Sequence, residues 1–479
     1  MAAAHVLLFP WPAQGHTNPM LHLASALLDA GLRVTLVHTE HSLRRLAAGA
    51  PRHQHHPRLR VLSVPDGLPD EHPRSVSGLM ELFESMRTAG CAAFRALLRA
   101  EKEAVTCVVA DGTMPFAVAA AQEAGVPSLA FRTESACGFL CYLSVPRLLE
   151  LGELVPASDG DEPVRGVPGM EGFLRRRDLP RVAPSSSDDP VPVLLAVAGT
   201  AARCADEPRA VILNTAASME ADAVARIASR VRGEVFAVGP LHTMHPHHHS
   251  PAGEDGDDGG CAAWLDGHAD RSVVYLNLGS LTVVSAEQLA ELLRGVAAAG
   301  YPFLCVLRPD MASSSTEEVL RAAAAGGERS RSLVLEWAAH RDVHRALRHR
   351  AVGCFVTHAG WNSVLEAAVA GVPMVCWPYF ADQQTVSRFV GAVWKTGLDI
   401  KDDVIDAAVV ARSVREAMED PGIRAAAQDM ARRLRMDVAP GGLSANDMER
   451  LVRFIKDLSA GQKDPSSRDD VHNSSSPAA

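Results

Sequence analysis

Aromatic residues are scarce in this chain, 5% of its 479 positions. No apolar run approaches the ~18 residues of a membrane-spanning helix, so stable membrane insertion is not expected. The start, "MAAAHVLLFPWP", has no basic stretch, and Pro10 and Pro12 interrupt its apolar residues, so it does not read as a secretory signal. Basic charge is also in deficit. Lys and Arg total 47 against 57 Asp and Glu, a formal net charge of −10, and no long basic stripe is present. That balance argues against nucleic acid as a partner. The nine cysteines (Cys91, Cys107, Cys137, Cys141, Cys204, Cys261, Cys305, Cys354 and Cys376) are odd in number and lack zinc-type pairs. Most lie in apolar runs such as "CVVAD" and "CFVTH", the pattern of reduced, buried thiols. No G-x-G-x-x-G follows the first apolar run, which removes a nicotinamide dehydrogenase. A cytoplasmic, soluble, monomeric protein is expected, and its length exceeds that of one ordinary core.

What is present is βα alternation. "HVLLFP" reads as a strand buried on both faces. "NPMLHLASALLDAG" carries apolar residues at helical spacing, with Asn18 suited to the N-cap, Pro19 to the first helical position and Gly31 to the stop. "LRVTLVHTE" is a second strand, completing a βαβ unit and predicting a parallel sheet. The pattern repeats through "VTCVVAD", "PSLAFRT" and "AVILNT". It then breaks at "HTMHPHHHSPAGEDGDDGG", a linker-like stretch whose adjacent histidines, His247 to His249, form a poor metal site. It restarts with "SVVYLNLGS", "PFLCVLRPD", "LVLEW", "VGCFVTH" and "PMVCWP". The expected class is α/β, two Rossmann-like doubly wound domains facing across a cleft: residues 1–242, a linker at 243–260, and residues 261–440. A helix at 441–458 and a disordered tail at 459–479 follow. A ligand is expected in the cleft, at the carboxyl ends of the strands.

Several polar residues fall at those ends. On this reading His16 lies in the loop before a helix N-terminus, whose positive end favours a neutral ring. It is either a surface histidine or a general base. Asp111 ends the run "TCVVA" and either caps the helix beginning near Met114 or orients His16 as the acid of a triad does. "FVTHAGWNS" combines a strand end, a tight turn and a helix start. Its free N–H groups suit a diphosphate, with His358, Asn362 and Ser363 as added donors. Glu366 follows one turn later on the same face. Asp382 and Gln383 supply acceptor and donor groups suited to sugar hydroxyls. Trp337 offers a flat face for a base.

These residues, in this order, resemble the plant family-one UDP-dependent glycosyltransferases and their donor-binding box, here "WAAHRDVHRALRHRAVGCFVTHAGWNSVLEAAVAGVPMVCWPYFADQ" from Trp337 to Gln383. "GHTNPM", "ADGTMPFA", "SACGF", "RRRDLP", "ILNT…ME", "NLGSLT" and "APGGLSAND" also fall in family order, extending the resemblance over roughly residues 5 to 458. It implies a GT-B fold and an inverting UDP-glucose-dependent O-glucosyltransferase. The acceptor would be a hydroxyl or carboxyl of a hydrophobic secondary metabolite such as a terpenoid, flavonoid or other phenolic. A non-catalytic GT-B protein binding nucleotide or a lipophilic ligand is the alternative.

Carried over residue by residue, the resemblance makes His16 the base and Asp111 its partner. Thr133 would touch the sugar and Ser280 the phosphates. Trp337 and the Ala338 backbone would hold uracil, and Glu366 the ribose. His358, Gly360, Asn362 and Ser363 would bind the diphosphate, and the Trp361 backbone, Asp382 and Gln383 the glucose. Gln at the last place of the box implies glucose rather than galactose. No metal is implied. The acceptor pocket is expected around Trp11, Phe83, Phe139, Cys141, Leu143 and Leu194. The sequence departs from the family pattern at Ala339-His340, where Pro-Gln is usual, leaving His340 on the ribose side. Three extra residues separate Trp337 from His358, Ala359 replaces a cysteine, and Arg132 replaces a common tryptophan.

Overall fold

The computed structural model describes residues 3–49, 56–74, 78–154, 160–182, 191–244, 260–282, 284–308, 311, 313–324, 332–336, 346–401 and 405–461. Among them, seven strands form one sheet: β1 (His5–Phe9), β2 (Arg33–Thr39), β3 (Leu59–Val64), β4 (Cys107–Asp111), β5 (Ser128–Arg132), β6 (Ala210–Leu213) and β7 (Glu234–Ala237). Six form a second: β8 (Val273–Asn277), β9 (Phe303–Leu307), β10 (Ser332–Glu336), β11 (Val352–Thr357), β12 (Met374–Cys376) and β13 (Gly397–Asp399). The spatial orders are β3-β2-β1-β4-β5-β6-β7 and β10-β9-β8-β11-β12-β13. Every pairing is parallel. β1, β4, β5, β9 and β11 are buried at every residue, as continuous apolar runs require when helices cover both faces. The chain is α/β with two doubly wound sheets, the GT-B architecture.

Strand order reverses between β1 and β4 in the first sheet and between β8 and β11 in the second. Crevices open at such switch points, beyond the carboxyl ends of the strands. Phe9 pairs with Ala110 at the first, and Asn277 with Thr357 at the second. The residues that follow these strands are therefore brought together by topology alone.

The helix after β1 differs from its expected start. It spans Gln14–Asp29, with Ala13 as N-cap and Pro19 inside it. Asn18 does not cap it, and His16 lies in its first turn rather than in the preceding loop. The last helix, Leu443–Gly461, lays Met448, Leu451 and Ile455 against Val6, Leu8 and Met20 of the first domain. Its Asp447 accepts the Ala237 N–H at 2.8 Å. It runs past residue 458 to Gly461, so residues 459–461 of the expected tail are helical, and residues 462–479 lie outside the described residues. Residues 245–259 of the expected linker, including His247, His248 and His249, lie outside the described residues.

A buried charge cluster joins the two halves. Asp178, in the segment leading to the Val191–Asp206 helix, contacts Lys401 of the second half and Arg175, at 2.9 Å for the latter. Arg388 approaches at 3.5 Å. Asp399 lies 3.5 Å from Lys401 and 3.4 Å from Arg175. Burial alone would raise the Asp178 pKa, but hydrogen bonds and charge from Arg175 and Lys401 hold it below the ordinary carboxylate value. Removing one partner from a buried ionic cluster leaves uncompensated charge, at a cost of about 3–5 kcal/mol. Lys401→Met is expected to lower the urea midpoint of unfolding by a corresponding amount. An unchanged midpoint would show that the cluster contributes no such term.

Candidate active site

The first switch point assembles a dyad. Asp111 is the last residue of β4 and is buried. It does not cap the following helix, which spans Pro115–Glu123 and has Met114 as N-cap. One oxygen, Oδ1, instead accepts the Thr113 N–H at 2.9 Å and the Thr113 hydroxyl at 2.7 Å. The other, Oδ2, lies 2.9 Å from His16 Nδ1. An ionised carboxylate only accepts, so Nδ1 carries the proton and Nε2 keeps the lone pair. Thr133 Oγ1, just beyond β5, lies 3.0 Å from the same Nδ1.

The downward pull on the His16 pKa expected from the helix terminus is outweighed by this partner. Burial works against the charged ring, but the Asp111 charge and hydrogen bond outweigh it, with Glu134 adding to them, and the His16 pKa is raised. The Asp111 pKa is lowered: burial opposes ionisation, while His16 and the Thr113 hydrogen bonds favour it. His16 retains 25% side-chain exposure and lines the cavity described below.

Arg132, buried at the end of β5, explains one departure from the family pattern. Its guanidinium donates to Gly112 O and Glu134 Oε1 and lies 4.3 Å from the centre of the Phe139 ring. A Cβ on Gly112 would come within 2.4 Å of the Arg132 side chain, so the glycine of "ADGT" makes room for the cation. Glu134, one residue after Thr133, is brought to the cavity wall by this pairing.

The second switch point gathers residues suited to an anion. The Trp361–Ala370 helix begins after β11, and its N-cap Gly360 supplies no side-chain hydrogen bond. Its first N–H groups therefore have no side-chain cap, and Gly360, Trp361, Asn362 and Ser363 line the cavity. His358 sits between two glycines. A Cβ on Gly279 would lie 2.6 Å from its ring and one on Gly360 2.3 Å from Nε2. Burial lowers its pKa to about 4, with Glu366 opposing and Arg308 assisting, so the ring is neutral. Its Nδ1 is buried without a partner among the described residues. An unpaired buried polar atom beside an uncapped helix start is a natural contact for a bound anion. Ser280 and Glu366 also line this end.

Asp382 and Gln383 lie where the halves meet. Asp382 Oδ2 accepts the Ser135 hydroxyl at 2.8 Å and the Ser135 N–H at 3.2 Å. Burial, and then Glu134, push its pKa up to about 6. Gln383 Oε1 accepts the N–H groups of Tyr379 and Phe380 at 2.9 and 3.1 Å. Both residues line the cavity. Trp361 Nε1 crosses between the halves to donate to Asn214 O at 2.8 Å.

One cavity of about 960 Å³ contains His16, Thr133, Ser280, His358, Gly360, Trp361, Asn362, Ser363, Glu366, Asp382 and Gln383. Asp111 stands behind His16. Trp11, stacked on Phe83 at 4.2 Å, and Leu194 line its other end. Phe139, Cys141 and Leu143 do not line it. The Ala136–Glu150 helix turns them into packing, where Cys141 Sγ meets Met170 Sδ and the Thr385 hydroxyl. Tyr142 faces the cavity instead. Gly138 was the available signal: a Cβ there would lie 2.4 Å from Asp382 Cβ, and Tyr142, four residues on, shares its helix face. Trp337, Ala338 and His340 lie outside the described residues, as do residues 337–345 of the stretch that holds the three extra residues; β10 ends at Glu336. No group of three or more His, Cys, Asp or Glu that could hold a metal occurs among the described residues.

The chain is similar to known proteins over nearly its whole length. Residues 245–432 match the family described as UDP-glucoronosyl and UDP-glucosyl transferase. The chain is 38% identical over 480 residues to a 7-deoxyloganetic acid glucosyltransferase of Catharanthus roseus, covering 95% of this chain and 98% of that protein. It is 39% identical to a myricetin 3-O-rhamnoside 1,2-glucosyltransferase of Crocosmia x crocosmiiflora, with 96% and 97% covered. In fold it is similar to a UDP-glucose: anthocyanidin 3-O-glucosyltransferase crystallised with UDP, with TM-score 0.81, 24% identity and 95% and 99% of the two chains covered. With two switch-point sites facing one cavity and likeness over nearly the whole length of such relatives, the chain belongs to the plant family-one UDP-dependent glycosyltransferases.

Proposed function

We propose that the protein transfers glucose from UDP-glucose to an oxygen of a hydrophobic small molecule, with inversion at the anomeric carbon. The observation that carries this reading is the His16–Asp111 dyad sharing one cavity with a helix start that has no side-chain cap. A base and an anion site in one cavity match a displacement that removes a proton at one end and releases a diphosphate at the other. The glucosyltransferase names of the two relatives support glucose as the sugar.

In this mechanism His16 Nε2 takes the proton of the acceptor hydroxyl as its oxygen attacks the anomeric carbon. The bond from that carbon to the β-phosphate oxygen breaks on the opposite face, and its electron pair leaves with UDP. Asp111 holds the tautomer and stabilises the imidazolium that forms. The N–H groups at Gly360 to Ser363, the neutral His358 and Ser280 receive the growing phosphate charge. Asp382, Gln383 and Thr133 orient the glucose, and Glu366 the ribose. Trp337, Ala338 and His340 are assigned to the uridine from sequence. No covalent sugar intermediate is formed, so no second nucleophilic carboxylate is required. We also propose that no metal is needed, since backbone and imidazole donors supply the electrophilic stabilisation.

The acceptor end favours a hydrophobic compound with a hydroxyl or carboxyl group, such as a terpenoid, flavonoid or other phenolic. Trp11, Phe83, Phe116, Leu194 and Val197 offer apolar contact there. No described helix is long and apolar enough to cross a membrane. The nine cysteines, all buried and none in a disulfide, suit a reducing compartment, and we assign the reaction to the cytoplasm on that ground.

UDP release on mixing with UDP-glucose and a panel of phenols and terpenoids is expected, with the sugar inverted in the product. Binding without release would favour the non-catalytic alternative. His16→Ala is expected to lower kcat by about 100- to 10,000-fold, the range of a lost general base, and unimpaired turnover would refute the assignment. Since the base acts when neutral and its pKa is raised, kcat/KM for the acceptor should climb with pH through that raised value. Asp111→Asn should move this limb to lower pH while reducing the rate. Activity should also survive EDTA, whereas a loss restored by added Mg²⁺ would overturn the metal-free mechanism.

A further inference from the structure

Pro19 lies in the second turn of the Gln14–Asp29 helix. A residue there normally donates its N–H to the carbonyl four residues back, and proline has none to give. The carbonyl left unpaired is that of Gly15, the residue before His16. It accepts a hydrogen bond from Asn362 Nδ2 at 2.7 Å, from the other half of the molecule. Asn362 is the second residue of the Trp361–Ala370 helix, within the uncapped turn at the anion end of the cavity. One side chain thus grips the backbone of the helix that carries the base, while its own backbone belongs to the donor end.

We infer that Pro19 and Asn362 form a positioning latch, in which proline frees the Gly15 carbonyl so that Asn362 can set the distance between His16 and the bound sugar donor. The inference rests on the catalytic reading above. Its mechanical content is simple. Gly15 and His16 are consecutive in a rigid helical turn, so pulling the Gly15 carbonyl toward Asn362 moves the imidazole with it. A ligand that orders the start of the Trp361–Ala370 helix thereby also registers the base. Near-attack geometry is sensitive on this scale, since a misplacement of about 1 Å can cost about 100-fold.

Pro19→Ala tests the latch without altering any group at the donor end. The new N–H competes for the Gly15 carbonyl from within the helix and weakens the grip of Asn362. Thermal unfolding is expected at or above its wild-type midpoint, since the helix regains an N–H, and UDP affinity, measured by titration calorimetry, is expected to stay at its wild-type value. The kcat should fall by about 2- to 10-fold, the range of one net hydrogen bond, with KM for UDP-glucose unchanged. Asn362→Ala should lower kcat further. The double variant Pro19→Ala/Asn362→Ala should be no slower than Asn362→Ala alone, because the two residues act on one bond. Wild-type kcat in a folded Pro19→Ala protein, or effects that multiply independently in the double variant, would overturn the latch. Retained turnover in His16→Ala would instead overturn the catalytic reading on which it rests.

Discussion

The placement of the sugar end of the cavity depends on Asp178. Its carboxylate is wholly buried between the halves and faces three cations, Arg175, Arg388 and Lys401. Its carbonyl accepts the Thr385 hydroxyl at 2.7 Å, three residues after Asp382 and two after Gln383. A further backbone bridge pairs Arg181 with Ala381, immediately before those two residues. The segment from Arg175 to Arg181 is thus fastened at several points to the chain that presents Asp382 and Gln383. Apolar substitutes for such clusters are often as stable or more so. What an apolar contact lacks is direction: it tolerates sliding, whereas a carboxylate bonded to cations on different sides tolerates one arrangement. Positioning Asp382 against Ser135 needs that directional control.

Each half then uses its switch point for a different electrostatic task. In the second, the helix start is left without a side-chain cap and meets a neutral histidine, which favours incoming negative charge. In the first, the helix start carries His16, the proposed base, whose charged form is opposed first by burial and also by the helix terminus. The terminus contributes little, about 0.3–1 kcal/mol at ordinary exposure. A unit charge pair about 4 Å apart at an effective dielectric of about 20 is worth about 4 kcal/mol. The Asp111 charge and hydrogen bond together outweigh burial and terminus, as the raised pKa of His16 reflects.

Much of this was legible in the sequence. The apolar runs marked the strands because a parallel strand buried on both faces has no polar side to hide. His16, Asp111 and the "GWNS" residues could be singled out because a polar residue at the end of such a run has no packing role. The motifs "SACGF" and "ILNT…ME" were visible as patterns without a visible cause. Their cause is contact across distant segments: Glu220 receives the N–H groups of Ala136 and Cys137 and the Thr215 hydroxyl, Asn214 receives Trp361, and Gly138 admits Asp382. The start of the first helix was misread for the same reason. Asn18-Pro19 has good local cap chemistry, but Asn362, 344 positions beyond Asn18, bonds the carbonyl that makes an internal proline tolerable. On the Ala136–Glu150 helix, apolar character marked Phe139, Cys141 and Leu143, yet the choice between cavity and core turned on one helical step toward Tyr142.

The strength of the base bears on which acceptors the cavity can serve. Phenols lose their protons at about the tyrosine value of 10, while aliphatic hydroxyls hold theirs to far higher pH. Against an ordinary imidazole at about 6.5, complete prior transfer costs about 5 kcal/mol for a phenol, at 1.36 kcal/mol per pKa unit, and far more for an aliphatic hydroxyl. The second cost is too large for a separate step to be useful. For an aliphatic hydroxyl, the proposed proton transfer must accompany formation of the new bond to the anomeric carbon, so the imidazolium first forms in the transition state. On that reading Asp111 acts where its charge is worth most, on a cation that forms at the barrier. Glu134 faces the same cavity and adds to that field, while its pairing with the buried Arg132 limits the excess negative charge beside the acceptor. A site built this way is demanding about the distance from Nε2 to the hydroxyl and to the sugar, and tolerant of the apolar body that carries the hydroxyl.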